Sequence, residues 1–169
     1  MSFETNVPSI VNPAVNGTRD ISARRAATIS NMIDEAAKDG ISDDFARRAI
    51  AHYGKDNAIH MREAMKDPDS FDEFRSLFGT DHNKDLFEME IVDNNEEELN
   101  IDFHYCPYVT EWKKQGRSDE EIAHLCDVTM EGDREFAKQF PCLQFTLEGT
   151  IADGLPTCRL RFKGLSVTS

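Results

Sequence analysis

The run Leu99-Asn100-Ile101-Asp102-Phe103-His104-Tyr105-Cys106-Pro107-Tyr108 decides the fold, because it carries a strand directly into the start of a helix. Leu99, Ile101, Phe103 and Tyr105 are apolar and alternate with Asn100, Asp102 and His104, the period of two that marks a half-buried strand. Pro107 suits the first position of a helix, where its missing N–H is not needed and its fixed φ is already helical, so Cys106 falls at the N-cap. A thiol there meets the free N–H groups and the positive end of the helix dipole, surroundings that can lower a cysteine pKa from ~8.5 towards neutrality. His104 and Asp102 stand on the same strand face as the cysteine, which predicts an imidazole able to reach the thiol and a carboxylate able to orient the imidazole. The plainer reading of these residues is a capping cysteine with two solvated polar neighbours, since such spacings are common in ordinary strands.

Upstream of this run, Phe87, Met89 and Ile91 alternate with Glu88 and Glu90, and the polar stretch Asp93-Asn94-Asn95-Glu96 makes the turn of a hairpin. Farther back, the apolar residues Ile21, Ala26, Ile29, Met32, Ile33 and Ala36 recur at helical spacing up to Gly40. A second helix begins at Ser42-Asp43-Asp44, is interrupted near Gly54 and resumes until Pro68; a short one carries Phe71, Phe74, Leu77 and Phe78. Residues 1–19, with Pro8, Pro13 and Gly17 and no apolar period, read as an extended or loosely ordered arm, and residues 20–169 as a single domain.

Downstream, a helix with Val109 and Trp112 ends at Gly116, and Ser118-x-x-Glu121 is a capping box opening a helix with Ile122, Leu125, Cys126 and Met130 that bends or ends at Gly132. Leu143, Phe145 and Leu147 then alternate with polar residues, and so do Cys158, Leu160 and Phe162 after a turn around Asp153-Gly154-Leu155-Pro156. N-terminal helices followed by two β-hairpin-like pairs separated by two helices predict an α+β domain with a four-stranded antiparallel sheet covered on one face.

A chain of 169 residues with 19 Lys and Arg against 32 Asp and Glu, a formal net charge of −13, is a poor partner for nucleic acid or an anionic membrane surface. A cationic or zwitterionic small molecule is the better-matched ligand. Neither a signal-peptide pattern nor a long apolar run is present, so the expected location is cytoplasmic. Cys106, Cys126, Cys142 and Cys158 contain no CxxC pair, which argues against a finger or ribbon zinc site and fits reduced thiols.

From His104 to Phe162, the elements Cys106-Pro107, Trp112, the Gly116 turn, Leu125-Cys126, Glu131-Gly132, Phe140-Pro141 and Gly154-x-x-x-Cys158-Arg159-Leu160-Arg161-Phe162 resemble the L-2-amino-thiazoline-4-carboxylate hydrolase family. The N-terminal half agrees only in general organisation. Members often carry Gly-Asp-Asp ahead of the last cysteine, where this chain reads Gly154-Leu155-Pro156-Thr157-Cys158. The resemblance implies hydrolytic opening of a small cyclic amidine or isothiourea, with no cofactor. An amidine carbon is electrophilic but resonance-stabilised, so attack calls for a strong nucleophile and for carboxylates to hold the amidinium charge. The assignment that follows has Cys106 as nucleophile, His104 as proton shuttle and Asp102 as its orienting acid, with Glu131 and Asp133 gripping the amidinium. Arg159 or Arg161 pairs with a substrate carboxylate, and Tyr108 and Trp112 line the site.

Simpler roles stand beside each of these. Glu131 and Asp133 read equally as a solvated helix end, and Arg159 and Arg161 as the wet side of a sheet. Cys126 and Cys158 share the spacing of core residues, and His124 that of a surface or packing histidine; His52, His60 and His82 lack matched partners. A second hypothesis is a zinc-containing small-molecule binding or sensor domain of the 4-vinyl-reductase type, without catalysis, in which Cys106, Cys126 and Cys158 with His104 or Glu131 converge on the metal. A third is a carrier whose pocket is lined by Phe103, Tyr105, Tyr108, Trp112, Phe136 and Phe140. The N-terminal arm and the short sheet point to a homo-oligomer.

Overall fold

A computed structural model describes residues 3–78 and 83–166; His82 and the first two residues of the arm lie outside them. Helix α1 runs from Pro13 to Lys38, starting well before Ile21. Asn12 supplies the reason: its side chain accepts the Val15 N–H at 3.0 Å, and Pro13 occupies the first helical turn. Residues 13–19 of the expected arm are therefore helical, and only Phe3 to Asn12 form a non-helical lead-in, with a turn closed by Asn6 N–H on the Phe3 carbonyl.

Helix α2, Asp44–Ala64, is continuous through Gly54. The expected interruption is absent because Gly54 is buried where α2 meets helix α7, Glu131–Lys138: a Cβ on Gly54 would stand 2.0 Å from the Gly132 carbonyl oxygen. Here glycine permits a close helix crossing without breaking the helix. Ser70 caps the short α3, Phe71–Leu77, and α4, Asn83–Leu86, leads into the sheet.

The first hairpin pairs β1, Met89–Asn94, with β2, Glu98–Phe103, through a bulge between Ile91 and Asp93. Helix α5, Pro107–Lys114, has Cys106 as N-cap residue, and α6, Asp119–Thr129, opens on the capping box of Ser118 and Glu121. Since α7 is separate from α6, three helices, not two, lie between the hairpins. The second hairpin joins β3, Leu143–Gly149, to β4, Cys158–Gly164, around a short 3-10 turn at Ile151–Asp153.

All pairings are antiparallel in the order β1-β2-β4-β3, so the two hairpins meet along β2 and β4 with Ile101 opposite Leu160 and Phe103 opposite Cys158. Leu99 and Ile101 of β2, Leu160 and Phe162 of β4 and Leu143 of β3 pack with Ala58, Phe71, Phe74, Ala137 and Phe140 from α2, α3, α7 and its exit. Helices α1, α5 and α6 build an adjoining core around Trp112. In β2, β3 and β4 the alternation read from sequence corresponds to one face against helices and one turned to water, as antiparallel sheets allow; in β1 it does not, since the strand starts at Met89 and both Ile91 and Val92 are exposed on this edge. Among the described residues no helix is long and apolar enough to cross a membrane.

Candidate active site

Cys106 stands between β2 and α5, with extended backbone angles (φ −129°, ψ 108°). Asn6 clamps its main chain from both sides, accepting the Cys106 N–H at 2.8 Å and donating to its carbonyl at 3.0 Å. The same amide donates to Thr110 Oγ1, so the lead-in to α1 is tied to the first turn of α5. Removing the thiol from water pushes its pKa up; the Tyr108 and Val109 N–H groups oppose that without reversing it, and neither completes a capping hydrogen bond to Sγ. The direction is opposite to the lowered pKa expected at a helix N-cap, because burial outweighs the two N–H groups.

The sheet divides the remaining candidates. On its water-facing side Asp102 pairs with Arg161 at 2.9 Å and accepts from Thr157 Oγ1 at 2.9 Å, while Arg161 also reaches Glu148 at 3.0 Å. His104 is half-exposed and pairs with Glu90 at 2.7 Å in a cleft that also includes Glu88 and Pro156. The expected Asp102-His104-Cys106 relay does not form, because the strand ends at Phe103 and both polar residues are engaged by neighbours across the sheet. Arg159 alternates with Cys158 along β4 and points to the same outer face as Arg161. Thr157, directly ahead of Cys158, is committed to Asp102.

On the helix side a different set gathers. Cys106, Cys126 and Cys158 join one cluster with Tyr108, Val109, Trp112, Met130 and Ile151. Ile151 N–H donates to Cys158 Sγ at 3.3 Å. Burial, then the neighbouring Cys106 sulfur, pushes the Cys126 and Cys158 thiols up, and Asp133 adds to both effects. Asp133 itself keeps an accessible side chain, yet protein surrounds its carboxyl closely enough that lost hydration raises its pKa to about 6. Access together with crowding describes a carboxyl in a recess of the surface. Tyr108 is half-buried beside it, its phenol raised to about 12 first by burial and then by surrounding negative charge, against the pull of Arg25.

Two other sequence candidates serve structure instead. Trp112 is fully buried, donates Nε1–H to the Ala26 carbonyl at 3.2 Å and meets Tyr108 edge-on at 5.7 Å. Glu131 is held by Arg134 at 2.7 Å and Arg47 at 3.3 Å. His124 is a surface residue paired with Asp43. Among the described residues, no three His, Cys, Asp or Glu side chains stand at spacing able to hold a metal ion, so the three cysteines share a core without forming a coordination shell.

Sequence reasoning missed Arg25, Tyr53 and Asn6. Arg25 and Tyr53 come from α1 and α2, where the resemblance is only general; the available signal was that Arg25 adjoins Ala26 at the edge of the α1 apolar stripe. Asn6 gave no signal, because its partners are about a hundred residues away in the chain.

No curated protein and no solved structure matches the chain. Residues 21–162, which include every element around the recess except the Phe3 to Asn12 lead-in and the start of α1, match the model of the L-2-amino-thiazoline-4-carboxylic acid hydrolase family, and the chain belongs to that family.

Proposed function

We propose that this protein opens the ring of a small 2-amino-thiazoline-type cyclic isothiourea by hydrolysis, with Cys106 as nucleophile and Asp133 as the carboxylate that holds the amidinium. The observation that supports this reading is that Tyr108 and Cys158, both within the family-matched region, each lie near enough to Cys106 and to Asp133 to respond to the charge of both. A raised thiol pKa is compatible with it. When an amidinium sits against Asp133, its positive charge also faces Sγ; at ~4 Å and an effective dielectric of ~20, that attraction is about 4 kcal/mol and favours thiolate about a thousandfold. The substrate itself then activates the nucleophile, and the resting enzyme keeps an unreactive thiol.

In the chemical step Sγ bonds to the amidine carbon as the thiol proton passes to the substrate, and one of the two ring bonds at that carbon breaks, its heteroatom leaving with the proton. Water then adds to the sulfur-bound carbon, the Cys106 sulfur leaves and regains a proton, and the product is the substrate plus one water. The Tyr108 and Val109 N–H groups face the sulfur and favour its anionic form as it leaves. No metal takes part in this route.

Incubation with 2-amino-thiazoline-4-carboxylate, followed by mass spectrometry, tests the reading. The expected result is a product one water heavier, turnover that persists with a chelator, and loss of at least about a thousandfold in Cys106→Ala. Undiminished turnover in Cys106→Ala overturns the nucleophile assignment. Saturable binding without turnover by the unaltered protein replaces the hydrolase with a ligand-binding protein.

A further inference from the structure

Arg25 differs from the ion-paired arginines of the helices. Arg47, Arg117 and Arg134 are committed to carboxylates, Arg117 to Asp34 and Arg134 to Asp127 and Glu131. Arg25 is half-buried on α1 and, among the described residues, makes no hydrogen bond or ion pair; its one described partner is the face of Tyr53, with Cζ 4.2 Å from the ring centroid. A guanidinium held over an aromatic ring loses little entropy on meeting a planar anion.

Two crossings of the fold place Arg25 near Asp133 and Tyr108. Tyr53 precedes Gly54, which meets Gly132 backbone to backbone, and Asp133 follows Gly132; the ring under Arg25 and the recess carboxyl therefore flank the same α2–α7 contact. On the other side Ala26, the next residue after Arg25, accepts the Trp112 indole N–H, and Trp112 packs edge-on against Tyr108. Consistent with this placement, the Arg25 charge is felt by both Asp133 and Tyr108, although it is not within ion-pair distance of the carboxyl.

We propose that Arg25, held over the Tyr53 ring, is the anion receptor of the recess, binding the carboxylate of a small zwitterionic substrate whose amidinium lies against Asp133. The cation site and the anion site are then contributed by different helices, and the gap between them selects compounds that carry both charges. Arg159 and Arg161, on the outer face of the sheet, are not needed for this role. The proposal rests on the reading of the recess as a substrate site, but it can fail separately from the hydrolase activity.

Calorimetric binding provides the test, with Cys106→Ala as background so that no turnover intervenes. The probes are 2-amino-thiazoline-4-carboxylate and 2-amino-thiazoline, which lacks the carboxylate. The expected preference for the carboxylate compound falls about 10- to 100-fold in Arg25→Gln, as loss of a charge-assisted contact predicts, and is partly restored in Arg25→Lys. A merely structural role would weaken both compounds equally and leave the ratio intact, which overturns the proposal. So does the absence of any preference in the Arg25 protein. Turnover in the unaltered protein with an unchanged ratio in Arg25→Gln rejects the receptor while keeping the hydrolase. A collapse of the ratio without turnover keeps the receptor and rejects the hydrolase.

Discussion

Asp133 shows how one residue can answer to both water and protein. Its carboxyl is raised from 3.8 to about 6 first by lost hydration, with Arg25 and Arg134 pulling the other way. A group whose folded pKa lies above its unfolded value holds its proton longer in the folded state, so its contribution to stability falls as pH rises from about 4 to about 6 and is level thereafter. Amidinium binding has the opposite sign, since only the carboxylate grips a cation. The expected kcat/KM therefore climbs with pH through a midpoint near 6 and levels above it. Asp133→Asn should remove that acidic limb and lower kcat/KM by roughly a hundredfold. A pH profile of the two proteins on 2-amino-thiazoline-4-carboxylate checks this, and an unaltered limb in the variant would assign the titration to another group. Cys106 adds a second signature: because its thiol is raised at rest, alkylation by iodoacetamide should be slow in the free protein at pH 7. Rapid labelling of Cys106 without ligand would contradict substrate activation.

At the scale of elements, the α2–α7 crossing brings Tyr53 and Asp133 to the two sides of one backbone contact. A methyl group on Gly54 meets the Gly132 backbone and not a flexible side chain, so the helices must separate. Gly54→Ala gains helix propensity of up to about 1 kcal/mol but overpacks the crossing, and a net loss of about 1–3 kcal/mol in urea unfolding is expected. Because Tyr53 and Asp133 flank the contact, KM should rise with it; a variant with unchanged stability would show that the crossing has slack. Gly54 also marks where sequence reading reached its limit. A glycine inside a helical pattern signals a break unless its partner is known, and Gly132 lies 78 positions farther along. Strands were legible from Leu99-Ile101, Leu143-Phe145-Leu147 and Leu160-Phe162, because one buried face imposes a period of two that needs no tertiary knowledge. The same rule failed at Asp102-His104-Cys106. It holds only within the ladder, and the chain leaves β2 at Phe103, so Cys106 turns to the helix side while Asp102 and His104 stay outside. Cys106-Pro107 was readable as a helix start from local chemistry alone, whereas Asp133, Arg25 and Tyr53 come from three helices whose meeting no spacing encodes.

Across the whole molecule, the lead-in to α1 ties the site to the far edge of the sheet. Phe3 is buried in the Trp112 core, Asn6 clamps Cys106, and Ser9 and Ile10 donate three hydrogen bonds to the Glu88 carboxylate at 2.6 to 2.8 Å. Arg19 of α1 completes that knot, pairing with Glu88 at 2.9 Å while donating to the Ile10, Asp85 and Leu86 carbonyls. Glu88 holds φ at 51°, a left-handed backbone that non-glycine residues rarely adopt, and the side-chain contacts keep it there. Lost hydration pushes the Glu88 carboxyl up, but the Ile10, Ser9 and Arg19 hydrogen bonds outweigh it and hold the pKa below 4.5. A depressed carboxylate stabilises the fold above its unfolded pKa, and that contribution fades as pH falls through the folded value. Glu88→Gln leaves Arg19 buried without its counter-charge, for an expected cost of about 3–5 kcal/mol. Acid unfolding of the variant should be correspondingly less steep below pH 4.5, since the titrating group is gone. The loss should also be felt at the recess, because the segment that carries Asn6 is anchored at Ser9 and Ile10. Limited proteolysis of Glu88→Gln should therefore cut within Phe3 to Asn12 before any other site, with a fall in turnover that tracks the cut. Cleavage there with full activity would mean that Cys106 keeps its position on the strength of α5 alone.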